Sequence, residues 1–325
     1  MERDRITYTY DVISMGETMM AFEALEYGPL RENHLFKKWM GGAECNFLIG
    51  LSRLGFHCGW FSRLGEDEFG KEIYRTLKGE GVDVSRVKFD PRAPTGLFVV
   101  ERQSVDDFRC YYYRENSAAS HLSPPDIDPD YIREARILYL TGITPAISGT
   151  ARATVEELFN LAIKNSQTLI FDPNLRLKLW DIDLARQVLV PLMKKSTYVL
   201  PGENELKLLM NCDQLNEAIR TAHKQGIPRL IIKRGAKGAV VALAGSENRE
   251  IPPYEICHPI SSMGAGDCFA AGFTAGLIRQ KQVEECAHWG NALGSFCLMG
   301  SGPYQTLPEA GEFQSFLNGK MGINR

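Results

Sequence analysis

Hydrophobic positions along the chain follow two patterns. From about residue 123 onward, short unbroken apolar runs alternate with stretches whose apolar residues recur every three or four positions. Residues 137–140, 168–171, 198–200, 230–233 and 239–243 read as strands. Residues 154–165, 184–194, 203–210, 215–225, 269–278 and 284–299 read as helices. Strands apolar on both faces and separated by helices predict an α/β protein with a mostly parallel sheet covered on both sides. The first third differs. Residues 11–17 read as a buried strand ending at Gly16, 47–54 as a helix stopped by Gly55, and 67–80 as an amphipathic helix. Residues near 18–40 alternate loosely, while 95–100 and 108–113 flank a polar turn, the pattern of a hairpin. The segments near 18–40 and 92–116 are therefore expected to form a small sheet outside the main core. Its last strand carries Tyr111, Tyr112 and Tyr113 between Arg109 and Arg114, which is unusual for a strand that only fills a core.

Composition narrows the class. A chain of 325 residues fits one large α/β domain or two smaller ones, and no repeat or low-complexity segment divides 1–325, so a single domain is expected. The net charge is −3 and no basic run stands out, which argues against nucleic acid or an anionic membrane as partner. Eight cysteines are scattered, none in a Cys-x-x-Cys pair or at zinc spacing from a histidine. They read as small buried apolar residues in a reducing compartment. No signal segment and no apolar run of spanning length is visible, so the cytoplasm is the expected location.

The candidate chemistry centres on Ser261-Ser262-Met263-Gly264-Ala265-Gly266-Asp267-Cys268-Phe269. A glycine turn entering a helix leaves backbone N–H groups pointing outward at the positive end of the helix dipole, an arrangement suited to phosphate. A carboxylate at that mouth would repel a resting anion, which suggests that Asp267 accepts a proton from an attacking hydroxyl. Taken alone, the same pattern also arises from close helix packing and an ordinary N-terminal aspartate. A second double glycine, Gly41-Gly42, precedes a helix that carries Asn46 in its first turn. Other polar loops follow strands: Asp172 to Arg176, Pro201 to Glu205, and Arg234-Gly235. In parallel sheets these carboxyl-end loops converge on one rim, where ligands bind.

Gly41-Gly42-Ala43-Glu44-Cys45-Asn46 and Gly264-Ala265-Gly266-Asp267-Cys268-Phe269 resemble the two signature regions of the PfkB (ribokinase-like) carbohydrate kinases. The resemblance covers essentially the whole chain. Within that family the chain is most similar to the 2-keto-3-deoxygluconate kinases. The similarity lies in Glu23-x-x-Glu26-Tyr27-Gly28-Pro29-Leu30, in the run from Tyr111 to Ser120, and in the run from Phe171 to Trp180.

The resemblance implies a ribokinase-like three-layer α/β/α fold with the small sheet as a lid. It implies ATP-dependent phosphorylation of a terminal sugar hydroxyl, with Asp267 as base and the N–H groups of Ala265, Gly266 and Asp267, in the turn begun by Gly264, as the anion hole. Gly42 and Asn46 would hold the sugar. Asn174, Lys233, Gly235, Gly238, Ser262, Gly264, Gly266 and Asn291 would line the nucleotide. Mg²⁺ would be held mainly by phosphates and water, with Glu205 contributing indirectly, and a monovalent-cation requirement stays open. A homodimer paired through the lid is expected, which would also cover exposed strand edges. An acid sugar needs a cation, and Arg176 on the rim with Tyr112 and Arg114 on the lid offers one.

Two positions depart from the family pattern. Ser261 stands where an acidic residue is usual, and Gly202 stands at the asparagine of the usual Asn-x-x-Glu that ends here in Glu205. The nearest alternative is a fructokinase-like or other member acting on a neutral sugar. An alternative of another class is a catalytically idle sugar-binding protein that kept the fold. A dinucleotide-dependent dehydrogenase is disfavoured, because Gly16 is followed by Glu17-Thr18 and no Gly-x-Gly-x-x-Gly opens the first unit.

Overall fold

The structure is a computed structural model, and it describes residues 8–103, 107–254 and 259–319. The strands in chain order are β1 (Tyr10–Met15), β2 (Met19–Tyr27), β3 (Phe36–Gly41), β4 (Cys58–Phe61), β5 (Arg63–Gly65), β6 (Lys88–Asp90) and β7 (Leu97–Arg102). They continue as β8 (Phe108–Tyr113), β9 (Ala135–Thr141), β10 (Thr168–Asp172), β11 (Tyr198–Val199), β12 (Arg229–Lys233), β13 (Ala239–Leu243) and β14 (Arg249–Ile251).

Eight of these form the main sheet in the order β14-β13-β12-β11-β10-β9-β1-β4. From β4 to β12 every neighbour is parallel, as the doubly apolar strands predict. The last two strands run antiparallel to their neighbours, which the apolar pattern of 239–243 does not announce. The cause is the link: only a 3-10 turn at Gly235–Lys237 joins β12 to β13, too short for a crossover. Helices cover both faces. One side packs Phe47, Trp60, Ala270 and Phe273; the other packs Phe159, Phe171, Leu189 and Met193.

The helix Ala265–Ile278 is buried from Asp267 to Gly276. Its small residues let a neighbour approach: a Cβ at Gly272 would lie 2.3 Å from the Trp289 carbonyl oxygen of the helix Val283–Leu298. Such packing fixes the helix, and with it Asp267 at its first turn.

The lid is a four-stranded sheet, β3-β2-β7-β8. Residues 95–100 and 108–113 do form the expected hairpin, with Phe98 opposite Tyr112. Strand alternation sends Phe98 and Tyr112 to one face and Tyr111 and Tyr113 to the other. The first face packs Met19, Ala21, Trp39, Phe98 and Val100 together. No described helix is long and apolar enough to cross a membrane. The seven described cysteines are free thiols; Cys257 lies outside the described residues.

Candidate active site

A cleft of about 1650 Å³ lies between the lid and the carboxyl ends of the main-sheet strands. Its size exceeds that of an ordinary single-ligand pocket and suits two ligands side by side. Asp267, Gly264 and Gly266 stand at the middle of it. Gly42, Asn46, Tyr112, Arg114 and Arg176 line the lid end, and Lys233, Gly235, Gly238 and Asn291 the other.

Gly264 begins the helix with φ +85°, a left-handed conformation, and a Cβ there would meet Pro303 at 2.4 Å. This turn engages one N–H of the expected anion hole. The Ala265 N–H donates to the Ser262 carbonyl at 3.3 Å, because the left-handed turn swings that carbonyl beneath it. The Ala265 N–H is therefore engaged within the turn, unlike the two that follow it. The N–H groups of Gly266 and Asp267 have no acceptor among the described residues. A Cβ at Gly266 would meet nothing closer than Lys233 Nζ, 3.5 Å away. Packing does not require that glycine, whose open side faces an ammonium group.

Asp267 is 8% exposed and clasped by two amides. Asn46 Nδ2 donates to its Oδ2 at 2.9 Å and Asn174 Nδ2 to its Oδ1 at 3.4 Å. Asn174 thus supports the carboxylate, in addition to lining the cleft. Burial pushes the Asp267 carboxyl above its usual range, opposed by Asn46, Lys233, Arg176 and Asn174. A raised carboxylate is a stronger base than a free one.

Beside it, Lys233 Nζ donates to Asp172 Oδ2 at 2.5 Å. Asp172, Glu205 and Asp267 all act on this one ammonium, which is held protonated despite its burial. Glu205 accepts from its own cap at Gly202 N, 2.7 Å, and from Leu175 N, 3.0 Å. It therefore ties the loop carrying Asn174 and Arg176 to the helix Glu203–Met210. Asn291 donates to the carbonyls of Ile251 and Pro252, so its NH₂ group holds a neighbouring loop and only its oxygen is left for a ligand.

The lid end is electropositive. Arg176 is exposed and has no ion pair among the described residues, so neither Asp172 nor Asp181 takes its charge. Lys178 donates to the Cys110 carbonyl at 3.1 Å and lies over the Tyr112 ring, with Arg114 also over that ring. Arg114 is nearly buried and pairs with Glu17, while its Nε has no acceptor among the described residues.

These contacts bring a buried carboxylate, two N–H groups without an acceptor among the described residues and a lysine together in one cleft. That constellation can transfer a phosphoryl group to a hydroxyl. Residues 10–310 match the model of the family described as pfkB family carbohydrate kinase. The chain belongs to that family. It is 35% identical over 97% of its length to the 2-dehydro-3-deoxygluconokinase of Bacillus subtilis (strain 168), covering 98% of that protein. It is 33% identical to the 2-dehydro-3-deoxygluconokinase of Thermoproteus tenax, over 94% of each chain. Among solved structures it is similar to a putative ribokinase II from E. coli in complex with ATP and Mg²⁺. The TM-score is 0.88 and the identity 25%, over 95% of this chain and 99% of that one. The enzyme is a carbohydrate kinase with the expected three-layer fold.

Sequence reasoning passed over several residues of this carbohydrate kinase site. Glu17 enters the cleft just beyond β1, at a carboxyl-end position that the rim rule marks. Tyr254 lines the far end and bonds His288 Nε2 at 2.6 Å. Glu44 lies inside the first glycine signature, where only its neighbours Gly42 and Asn46 were singled out. It is buried, and its Oε1 accepts from Thr141 Oγ1 at 2.6 Å and Thr144 Oγ1 at 3.1 Å. Its carboxyl fills the space a side chain at Gly16 would need. Burial, reinforced by Asp267, pushes it up to about 7.

A carboxyl with a raised folded-state pKa stabilises the fold while protonated. That contribution is complete below the unfolded glutamate range and is lost as pH rises to about 7. Glu44→Gln is therefore expected to raise Tm relative to wild type at pH 8, with the gain shrinking toward pH 5, in paired thermal melts. A loss of Tm that is equal at both pH values would show that an ionised Glu44 is needed.

Proposed function

We propose that this carbohydrate kinase phosphorylates an acid sugar, 2-keto-3-deoxygluconate to its 6-phosphate, with ATP as donor. The carrying observation is the uncompensated Arg176 beside Arg114, Lys178 and Tyr112 at the lid end of the cleft. A neutral sugar needs no such charge, whereas a carboxylate binds a guanidinium bidentately. The two 2-dehydro-3-deoxygluconokinases named above support the same substrate.

In this scheme Gly42 and Asn46 bound the sugar on the side of the first helix, and Arg176 and Arg114 Nε take its carboxylate. With the terminal hydroxyl at Asp267, that carboxylate removes its proton as the new O–P bond forms and the bond from the γ-phosphorus to the bridging oxygen breaks, with ADP as the leaving group. The N–H groups of Gly266 and Asp267 stabilise the equatorial oxygens, and Lys233 and Gly235 to Gly238 hold the nucleotide phosphates. The lid excludes water from the transfer. Among the described residues no cluster of three acidic, histidine or cysteine side chains forms a cage for a metal. Glu205 fits an outer role toward Mg²⁺, since backbone N–H groups already occupy one lone pair on each oxygen. Mg²⁺ held by the nucleotide would supply charge neutralisation there.

We also propose that two copies pair through their lids. Leu25, Tyr27, Phe36, Tyr111 and Tyr113 are each more than a third exposed there, an apolar load that a partner would cover. Sedimentation will show a dimer that Tyr113→Arg weakens; a monomer at micromolar wild-type concentration would refute the pairing. The substrate reading is tested with a panel of acid and neutral sugars, wild type against Arg176→Ala. Roughly a tenfold or greater rise in KM is expected for the acid sugar, with neutral sugars poor and unaffected. An equal rise for both classes would assign Arg176 a structural role.

A further inference from the structure

The chain crosses between the main domain and the lid four times, and every crossing touches Glu17. The first crossing, residues 16–18 between β1 and β2, contains it. The second, from β3 into the helix Ala43–Arg53, passes through Gly42, where a Cβ would lie 2.6 Å from the Glu17 carbonyl oxygen. The third, from β6 to β7, passes through Gly96, where a Cβ would lie 2.6 Å from Glu17 Oε1. The fourth leaves β8 through Arg114 and Ser117. Ser117 Oγ donates to Glu17 Oε1 at 2.5 Å, and the Arg114 guanidinium pairs with Oε2. Two further bonds lock crossings to one another: Met20 N to the Gly96 carbonyl, 3.0 Å, and Ala118 N to the Pro94 carbonyl, 2.8 Å.

We infer that Glu17 is the hinge pin of the lid, a positioning residue that joins the four crossings into one joint and aims Arg114 into the cleft. Glu17 is 3% exposed; among the described residues Arg114 is its one ion-pair partner, and groups from other crossings fix its position. Gly42 and Gly96 are bare at the points where Glu17 needs room. A hinge built this way transmits lid angle directly to the guanidinium: if Arg114 moves, Glu17 and the crossings it touches move with it. The role of Arg114 toward a sugar carboxylate rests on the acid-sugar reading; the joint itself does not.

The test is hydrogen exchange by mass spectrometry on the full chain without substrate, wild type against Glu17→Gln. Amides in β2, β3, β7 and β8 are expected to exchange roughly tenfold faster in the variant, with β9 and β10 unchanged. In parallel, ATP hydrolysis without sugar is expected to rise relative to kinase turnover, because a loosened lid admits water. Unchanged lid exchange, or an equal rise in both sheets, would overturn the inference; a raised KM with unchanged lid exchange would make Glu17 a ligand and not a hinge. If Glu17→Gln does not fold, Ser117→Ala removes one donor and keeps the ion pair. It is expected to show the same lid-confined change at smaller size, and its absence would overturn the inference as well. The exchange measurement uses no substrate, so a wrong sugar leaves it intact and shows instead in the substrate panel.

Discussion

A carboxylate taken out of water must be held by donors, and the site depends on how Asp267 is held. Two amides from distant parts of the chain, Asn46 and Asn174, grip its two oxygens. They keep it aimed without supplying a full positive charge, so burial still raises its pKa. A direct salt bridge would do the opposite and weaken the base. The nearby Lys233 is instead turned onto Asp172, which leaves Asp267 influenced by the ammonium but not bound to it.

The rest of the architecture places this group. The helix that carries Asp267 is rich in small residues, and Gly272 and Gly276 let its neighbour close on it. A helix packed this tightly does not rotate, and its first turn presents Gly266 and Asp267 N–H groups in one fixed direction. Parallel strands deliver Asn174 and Lys233 to the same rim, and Glu205 fixes the loop between. The lid closes the other side with a cationic surface around Tyr112, joined to the main domain at Glu17.

Much of this was legible in the sequence where structure is local. Doubly buried strands and capped helices leave unbroken or periodic patterns, so the order of layers and the lid hairpin could be read directly. The short edge strand β14, the helix Thr144–Ile147 and the helix Ala310–Leu317 leave too little pattern to read. The reversal at β13 depends on the length of a link, not on hydrophobicity. Asp267, Asn46 and Gly264 stand out in the sequence because a glycine turn enters each helix, although close packing and an ordinary N-terminal aspartate leave the same pattern. Glu17 and Glu44 do not, because what defines them lies 100 residues away at Ser117 and 97 away at Thr141. The bond from the Ala265 N–H to the Ser262 carbonyl was not legible, because a sequence shows that a turn exists but not which carbonyl it brings round.

The central claim is that Asp267 is the base of a sugar kinase and not only a well-packed helix cap. Rapid-quench turnover of Asp267→Asn with saturating 2-keto-3-deoxygluconate and ATP, beside ATP binding to the same protein, tests it most directly. The account predicts a loss of roughly a thousandfold or more in kcat with ATP affinity within about twofold of wild type. Turnover within about tenfold of wild type would contradict it.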